Sequence, residues 1–160
     1  MHADAQPQHQ WLQHLVGTWT FTLESGHGIT PGEPSGSGTE VVRSVGDLWV
    51  VAEGQATMPG MGLYSTASML GFNPATGRFV GTYIASFMTH LWVYDGALDE
   101  AGRTLTLGSE GPSMADDGTT QYYEDAIKLV SNDERLFSAR VQKADGTWQH
   151  LMTMRYLRER

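Results

Sequence analysis

The sequence predicts an all-β domain: an antiparallel up-and-down barrel of about ten strands behind one short N-terminal helix. Three observations carry that expectation. The apolar period is about 3.6 before Gly17, falls to two after it, and does not change back. Strand-like runs then recur at roughly 8–12-residue spacing, with turn chemistry between them. Every connection but three is hairpin-short, so neighbours in sequence are neighbours in the sheet. A meander of this length removes its edges most economically by closing on itself. Because no later segment carries a helical period, parallel βαβ folds are excluded.

The helix is expected over about residues 8–16. Pro7 suits its first turn, Trp11, Leu12, Leu15 and Val16 make one apolar stripe, and Gly17 stands where a C-cap glycine belongs. The first strand follows at once, since Trp19, Phe21 and Leu23 alternate with Thr18, Thr20 and Thr22. Residues 25–36 hold four glycines and two prolines and read as a loop. Strands are then expected at 38–45 and 48–58 across Gly46-Asp47, and at 64–72 and 78–88 across the turn 73–77. Further pairs are 91–98 with 103–109 across 99–102, and 119–130 with 135–143 across 131–134. Ala144-Asp145-Gly146 turns the chain into a last strand at 147–157. The barrel thus covers about 18–157 of a single domain, 1–160. The longer connections at 25–36, 59–63 and 110–118 are expected to shape an open end. A barrel of more than about eight strands encloses more space than its own side chains fill, so an internal cavity is expected.

Composition narrows the function. The 160 residues carry 18 acidic against 10 basic side chains, and a net charge of −8 argues against nucleic acid and anionic membranes as partners. With no cysteine there is no disulfide, no thiolate nucleophile and no Cys-ligated metal. Charged residues are only 18% and glycines number 19, as in a tightly connected β protein with apolar inner faces. Met1 to Pro7 lacks the basic and apolar regions of a signal peptide, and no apolar run reaches membrane-span length, so a cytoplasmic protein is expected.

The stretch from Trp11 to Trp19, a short helix running into Gly17-Thr18-Trp19, resembles the calycin superfamily, which includes the lipocalins and fatty-acid-binding proteins. That resemblance implies that Trp19 plugs the closed end of the barrel and that a basic residue of the last strand packs over it. Arg155 and Arg158 are both placed to do so. More of the chain is similar to a bacterial family of calycin-like domains with no assigned function. The matching stretches are Leu15-Val16-Gly17-Thr18-Trp19, Leu48-Trp49-Val50-Val51 with Glu53-Gly54, Met58-Pro59-Gly60 and Leu70-Gly71-Phe72-Asn73-Pro74. They continue with Gly77-Arg78-Phe79-Val80-Gly81-Thr82, Leu91-Trp92-Val93-Tyr94-Asp95-Gly96 and Gly111-Pro112. The resemblance implies a calycin-like barrel with Gly17, Trp19 and Arg155 as structural residues, and supplies no catalytic residues.

Strong catalytic motifs are absent: there is no His-Glu-x-x-His, Gly-x-Ser-x-Gly, Walker loop or EF-hand spacing. His2, His9, His14 and His27 are expected to be solvated, whereas His90 and His150 border the expected cavity. A haem-binding calycin-like family uses a late-strand histidine as axial ligand, and His150 is loosely similar in placement, so haem is carried as an alternative. No metal is expected. Period two puts Asp125 and Tyr123 on the same inward face as Ile127 and Leu129. Glu53 is a second candidate, although both faces of its strand read apolar; the alternative for either acid is that it pairs with an arginine such as Arg43 or Arg78, or simply faces solvent. A buried carboxylate would anchor a polar ligand group or act as a base.

The strongest functional signal is the aromatic and methionine content of the later strands. Tyr83, Phe87, Trp92, Tyr94, Tyr123 and Trp148, with Met69, Met88, Met152 and Met154, offer flat and adaptable apolar walls. The expected function is therefore binding of a small, mostly apolar or amphipathic molecule inside the barrel. A small-molecule isomerase or lyase using Asp125, Glu53, Tyr123 and His150 is the enzymatic alternative, and an interaction module with an exposed apolar patch is a third. A homodimer is compatible with each.

Overall fold

In the computed structural model, which describes residues 1–26 and 36–160, all ten expected strands are present and close into one barrel. The helix α1 (Pro7–Gln13) leads into β1 (Gly17–Gly26), which pairs with β2 (Ser37–Val45). The meander runs on through β3 (Trp49–Met58), β4 (Gly62–Asn73), β5 (Arg78–Ala85) and β6 (Trp92–Leu98). It ends with β7 (Thr104–Pro112), β8 (Thr120–Ser131), β9 (Glu134–Gln142) and β10 (Trp148–Arg158). Each strand is antiparallel to the next, and β10 pairs with β1 from Trp19↔Arg158 to Gly26↔Met152. No edge is left, as expected of a closed meander.

The expected strand boundaries hold to within three residues, and the shifts have local causes. β5 stops at Ala85, and Met88 donates its N–H to the Ala85 carbonyl at 3.1 Å, so Phe87 and Met88 belong to a turn. The helix is shorter than its apolar stripe. Leu15 and Val16 donate to the carbonyls of Leu12 and Gln13, three residues back, which tightens the last turn beyond the α-helix.

Alternation fixes which connections share an end. The links β2–β3, β4–β5, β6–β7 and β8–β9 lie at the end where β1 begins, and α1 covers it. Trp11 donates from Nε1 to the Gly102 carbonyl (2.8 Å) and meets Phe79 edge-on, while Phe72 packs against the same ring. His9 is here too, and this corrects its expected exposure. It is buried, its Nδ1 accepts the Gln6 N–H (2.9 Å) and its Nε2 faces the Phe72 carbonyl (3.1 Å). Helix capping and docking use up both ring nitrogens, so the imidazole is a clamp.

Trp19 lies above the helix as the plug. Its Nε1 donates to the Leu15 carbonyl at 2.9 Å, and the guanidinium of Arg158 stacks on it with 4.2 Å from Cζ to the ring centroid. Arg158 also donates to the carbonyls of Val16 (2.5 Å) and His14 (2.8 Å). Gly17 has φ +141°, a conformation that strains any side chain, which explains why this turn takes glycine. The arginine over the plug is thus Arg158 and not Arg155. Inward residues of β10 are Met154 and Tyr156, so Arg155 faces out and bridges Glu24 and Glu134.

The opposite end carries the links β1–β2, β3–β4, β5–β6, β7–β8 and β9–β10, which include all three long connections. Residues 27–35 of the first, with His27, lie outside the described residues. No helix among the described residues is long and apolar enough to cross a membrane.

Candidate functional site

The barrel encloses a cavity of about 1170 Å³, lined by side chains from all ten strands. It has three levels. At the floor, just above Trp19, Arg135 of β9 is ion-paired with Glu40 of β2. Arg135 is buried and Glu40 partly so, and the Arg135 guanidinium lies over the rings of Tyr156 (4.0 Å) and Trp19 (4.7 Å). Register explains the meeting: Glu40 pairs with Trp19 across β1–β2, and Arg135 with Tyr156 across β9–β10. Neither Glu40 nor Arg135 was legible as a site residue. The available signal was strand phase, since Glu40 shares its face with buried Val42.

The middle level holds Asp125. Its β8 neighbours Tyr123 and Ile127 are buried and inward, so the alternation that predicts its face is the alternation observed. Tyr94 of β6 donates from its hydroxyl to Asp125 Oδ2 at 2.5 Å. Burial pushes the Asp125 carboxyl up from an ordinary 3.8 to about 6, and the Tyr94 hydrogen bond only partly offsets this. Burial likewise raises the hydroxyls of Tyr83 and Tyr94, so both are neutral donors at physiological pH.

That shift has a testable consequence for stability. The folded chain holds the Asp125 proton more tightly than the unfolded chain. Stability from this group is therefore complete below about pH 4 and is lost as pH rises through 6. At 1.36 kcal/mol per unit the loss amounts to about 3 kcal/mol. Asp125→Asn cannot titrate yet still accepts from Tyr94. We expect it to be about 2–3 kcal/mol more stable than the wild type at pH 7.5 and nearly equal at pH 4. Urea unfolding at the two pH values measures this, and an equal difference at both would contradict the buried-acid assignment.

The mouth is aromatic. Trp92 meets the rings of His90 and Tyr123 edge-on, and Phe87 meets Tyr64 in the same way. Tyr123 donates to the Pro112 carbonyl, and the His90 ring faces the Glu110 carbonyl at 3.0 Å. Trp92 lies flat over Gly111, where a Cβ would come within 2.2 Å of the ring, so the matched glycine makes room for the indole. Met88 and Met152 line the same region.

Of the sequence-derived candidates, Tyr83, Phe87, Met88, His90, Trp92, Tyr94, Tyr123, Asp125, His150, Met152 and Met154 surround this one cavity, whereas Met69 and Trp148 do not line it. Glu53 does not either, which corrects its expected place. Val50, Gly54, Ala56 and Met58 are the buried residues of β3, so Glu53 falls on the exposed outer face. His150 stands exposed at the lip, opposite Arg140, with Nε2 3.3 Å from the hydroxyls of both Ser25 and Thr153. Glu53 thus leaves the acid–base set, while Asp125, Tyr123 and His150 border the one cavity. Neither proposed arginine serves the acids either, since Arg78 pairs with Asp95 at 2.9 Å and Asp125 has Tyr94 instead. Among the described residues no three His, Asp or Glu side chains gather as a metal site.

Comparison with known proteins places the fold. The crystal structure of Rv2717c from M. tuberculosis matches with a TM-score of 0.59 and 19% identity, over 98% of this chain and 100% of that one. A redesigned beta barrel matches with a TM-score of 0.47 and 14% identity, covering 92% of this chain and 94% of the design. No curated protein matches the chain. A family model described as "Protein of unknown function (DUF1579)" matches residues 4–158, so the chain belongs to the DUF1579 family of unknown function.

Proposed function

We propose that this chain is a calycin-like bacterial barrel, working in the cytoplasm, that takes up a small, mostly apolar molecule. The observation that carries the reading is the cavity. Its volume of about 1170 Å³ exceeds the roughly 300–1,000 Å³ typical of ligand pockets, so the barrel's own side chains leave it unfilled. One end is plugged by Trp19 and α1, and the other is ringed by aromatics and methionines, which suit an apolar body of irregular shape. The calycin-like and bacterial parts rest on the resemblance carried by the Gly17-Thr18-Trp19 turn and the stretches that follow it. Exposed Val41, Trp49, Met69, Ile84 and Val93 on the outer face favour an interaction module less, because Arg43, Glu53, Thr82 and Asp95 interleave with them.

Nile red, a neutral fluorophore that brightens in apolar surroundings, tests the reading. We expect saturable binding at one site per chain. Ser68→Trp, which puts an indole into the cavity from β4, should weaken that binding at least about tenfold, or roughly 1.4 kcal/mol. Binding without saturation, or binding indifferent to Ser68→Trp, would place the probe outside the barrel and reject the proposal.

A further inference from the structure

The ionisable groups inside the barrel are unevenly committed. Arg135 is spent on Glu40 and is wedged between Trp19 and Tyr156 at the floor. Asp125 has no such counter-ion among the described residues. Its register partner on β9 is Ala139, four residues from Arg135, or about 13 Å along the strand. Lys128, the nearest lysine in sequence, is exposed and lies out of phase with Asp125 on the outer face. Asp125 Oδ2 accepts from Tyr94, whereas Oδ1 accepts no hydrogen bond from any described residue, and the carboxyl borders the cavity.

The remaining groups that face this space leave its sign unchanged. Tyr83 on β5, Tyr94 on β6 and Tyr156 on β10 are raised by burial, as are Tyr64 and Tyr123 toward the mouth, so all five stay uncharged. Glu40 and Arg135 cancel. His90 and His150 stand at the mouth, and the β7 and β9 walls beside Asp125 present Leu107 and Ala139. With Asp125 ionised the described residues of the interior thus carry one uncompensated negative charge. A ligand carboxylate would add a second charge of the same sign at low dielectric, while a ligand cation would relieve the desolvation of the first.

Given the ligand-binding cavity proposed above, we infer that it selects by charge. Its ligand is a lipophilic amine whose ammonium head pairs with Asp125 and whose apolar body fills the aromatic upper barrel, and alkyl carboxylates are excluded. The head donates to Oδ1 while Tyr94 continues to donate to Oδ2, so both oxygens are satisfied.

Three ligands with one body and different heads test this: dodecylamine, dodecanol and dodecanoate, each kept below its micelle concentration and competed against Nile red. At pH 7.5 dodecylamine should displace the probe at least about tenfold better than dodecanol, with dodecanoate weakest. In Asp125→Asn the amine should fall to the level of the alcohol. The wild type supplies an independent readout, because the amine keeps its charge from pH 8 to 5 while Asp125, with its carboxyl near 6, takes up a proton. The amine advantage should shrink over that interval and the dodecanol affinity should not. Tyr94→Phe, which keeps the carboxylate, should keep the preference. If dodecanoate binds as well as dodecylamine, or the preference survives in Asp125→Asn, the charge selection is overturned while the cavity reading stands. If none of the three displaces the probe, the cavity reading falls and the amine proposal with it.

Discussion

Arg135→Met should cost the fold about 3 kcal/mol, because it strands Glu40, a partly buried carboxylate, without its counter-ion. Glu40→Gln should cost a similar amount by leaving Arg135, which is only 3% exposed, without its counter-ion. For a chain of this size that loss lowers the melting temperature by about 10 °C. The double variant Glu40→Leu/Arg135→Met should recover most of it. Leucine and methionine are flexible apolar replacements of suitable length, and the Tyr156 and Trp19 faces that now meet a guanidinium accept a thioether equally well. We therefore expect the double variant within about 1–2 kcal/mol of the wild type, giving a coupling energy of several kcal/mol. Urea unfolding of the four proteins of this cycle measures it. If Arg135→Met alone were neutral, the guanidinium would have to be solvated, contrary to its place beneath the cavity.

The strands were legible because most have one solvated face, and period two then states both the element and its inward side. Asp125 shows how far this goes: Ile127 fixes the phase, and Tyr123 and Asp125 follow two and four residues away. Glu53 shows where it stops. Val50, Val51 and Ala52 are apolar on both faces, so the local pattern has no phase, and only Ala56 and Met58 downstream settle it. The same logic would have chosen between the arginines of β10. Met154 and Tyr156 are inward, and two further residues reach Arg158, whereas Arg155 is out of step. The Glu40–Arg135 pair was not legible by any local rule. Its partners are 95 residues apart, and they meet because closure of β1 on β10 brings β2 and β9 to the same floor. His9 escaped for a different reason. A histidine in an N-terminal turn reads as solvated until the helix is known to dock, and docking is a property of the closed barrel end.

Trp19→Ala should destabilise the protein by roughly 3–5 kcal/mol, and it separates the plug from the ligand site. Trp19 is 1% exposed and is gripped on two sides, by Arg135 from the cavity and by Arg158 from the helix side. Truncation removes the ring contacts of both guanidinium groups and the donor to the Leu15 carbonyl, and it leaves a void that rigid barrel walls cannot collapse to fill. The expected fall in melting temperature is about 10–20 °C. The urea slope should stay near the wild-type value, since the surface exposed on unfolding hardly changes. Arg155→Ala is the contrasting variant. Its ion pairs with Glu24 and Glu134 lie on the outer surface, so it should lose less than about 1 kcal/mol. Nile red affinity measured on folded Trp19→Ala at low temperature should stay within about threefold of wild type, or under roughly 0.7 kcal/mol. The aromatic mouth and Asp125 lie above Arg135 and Tyr156, which still separate them from the vacated plug. A Trp19→Ala protein as stable as the wild type would mean that Arg158 and α1 close the barrel by themselves.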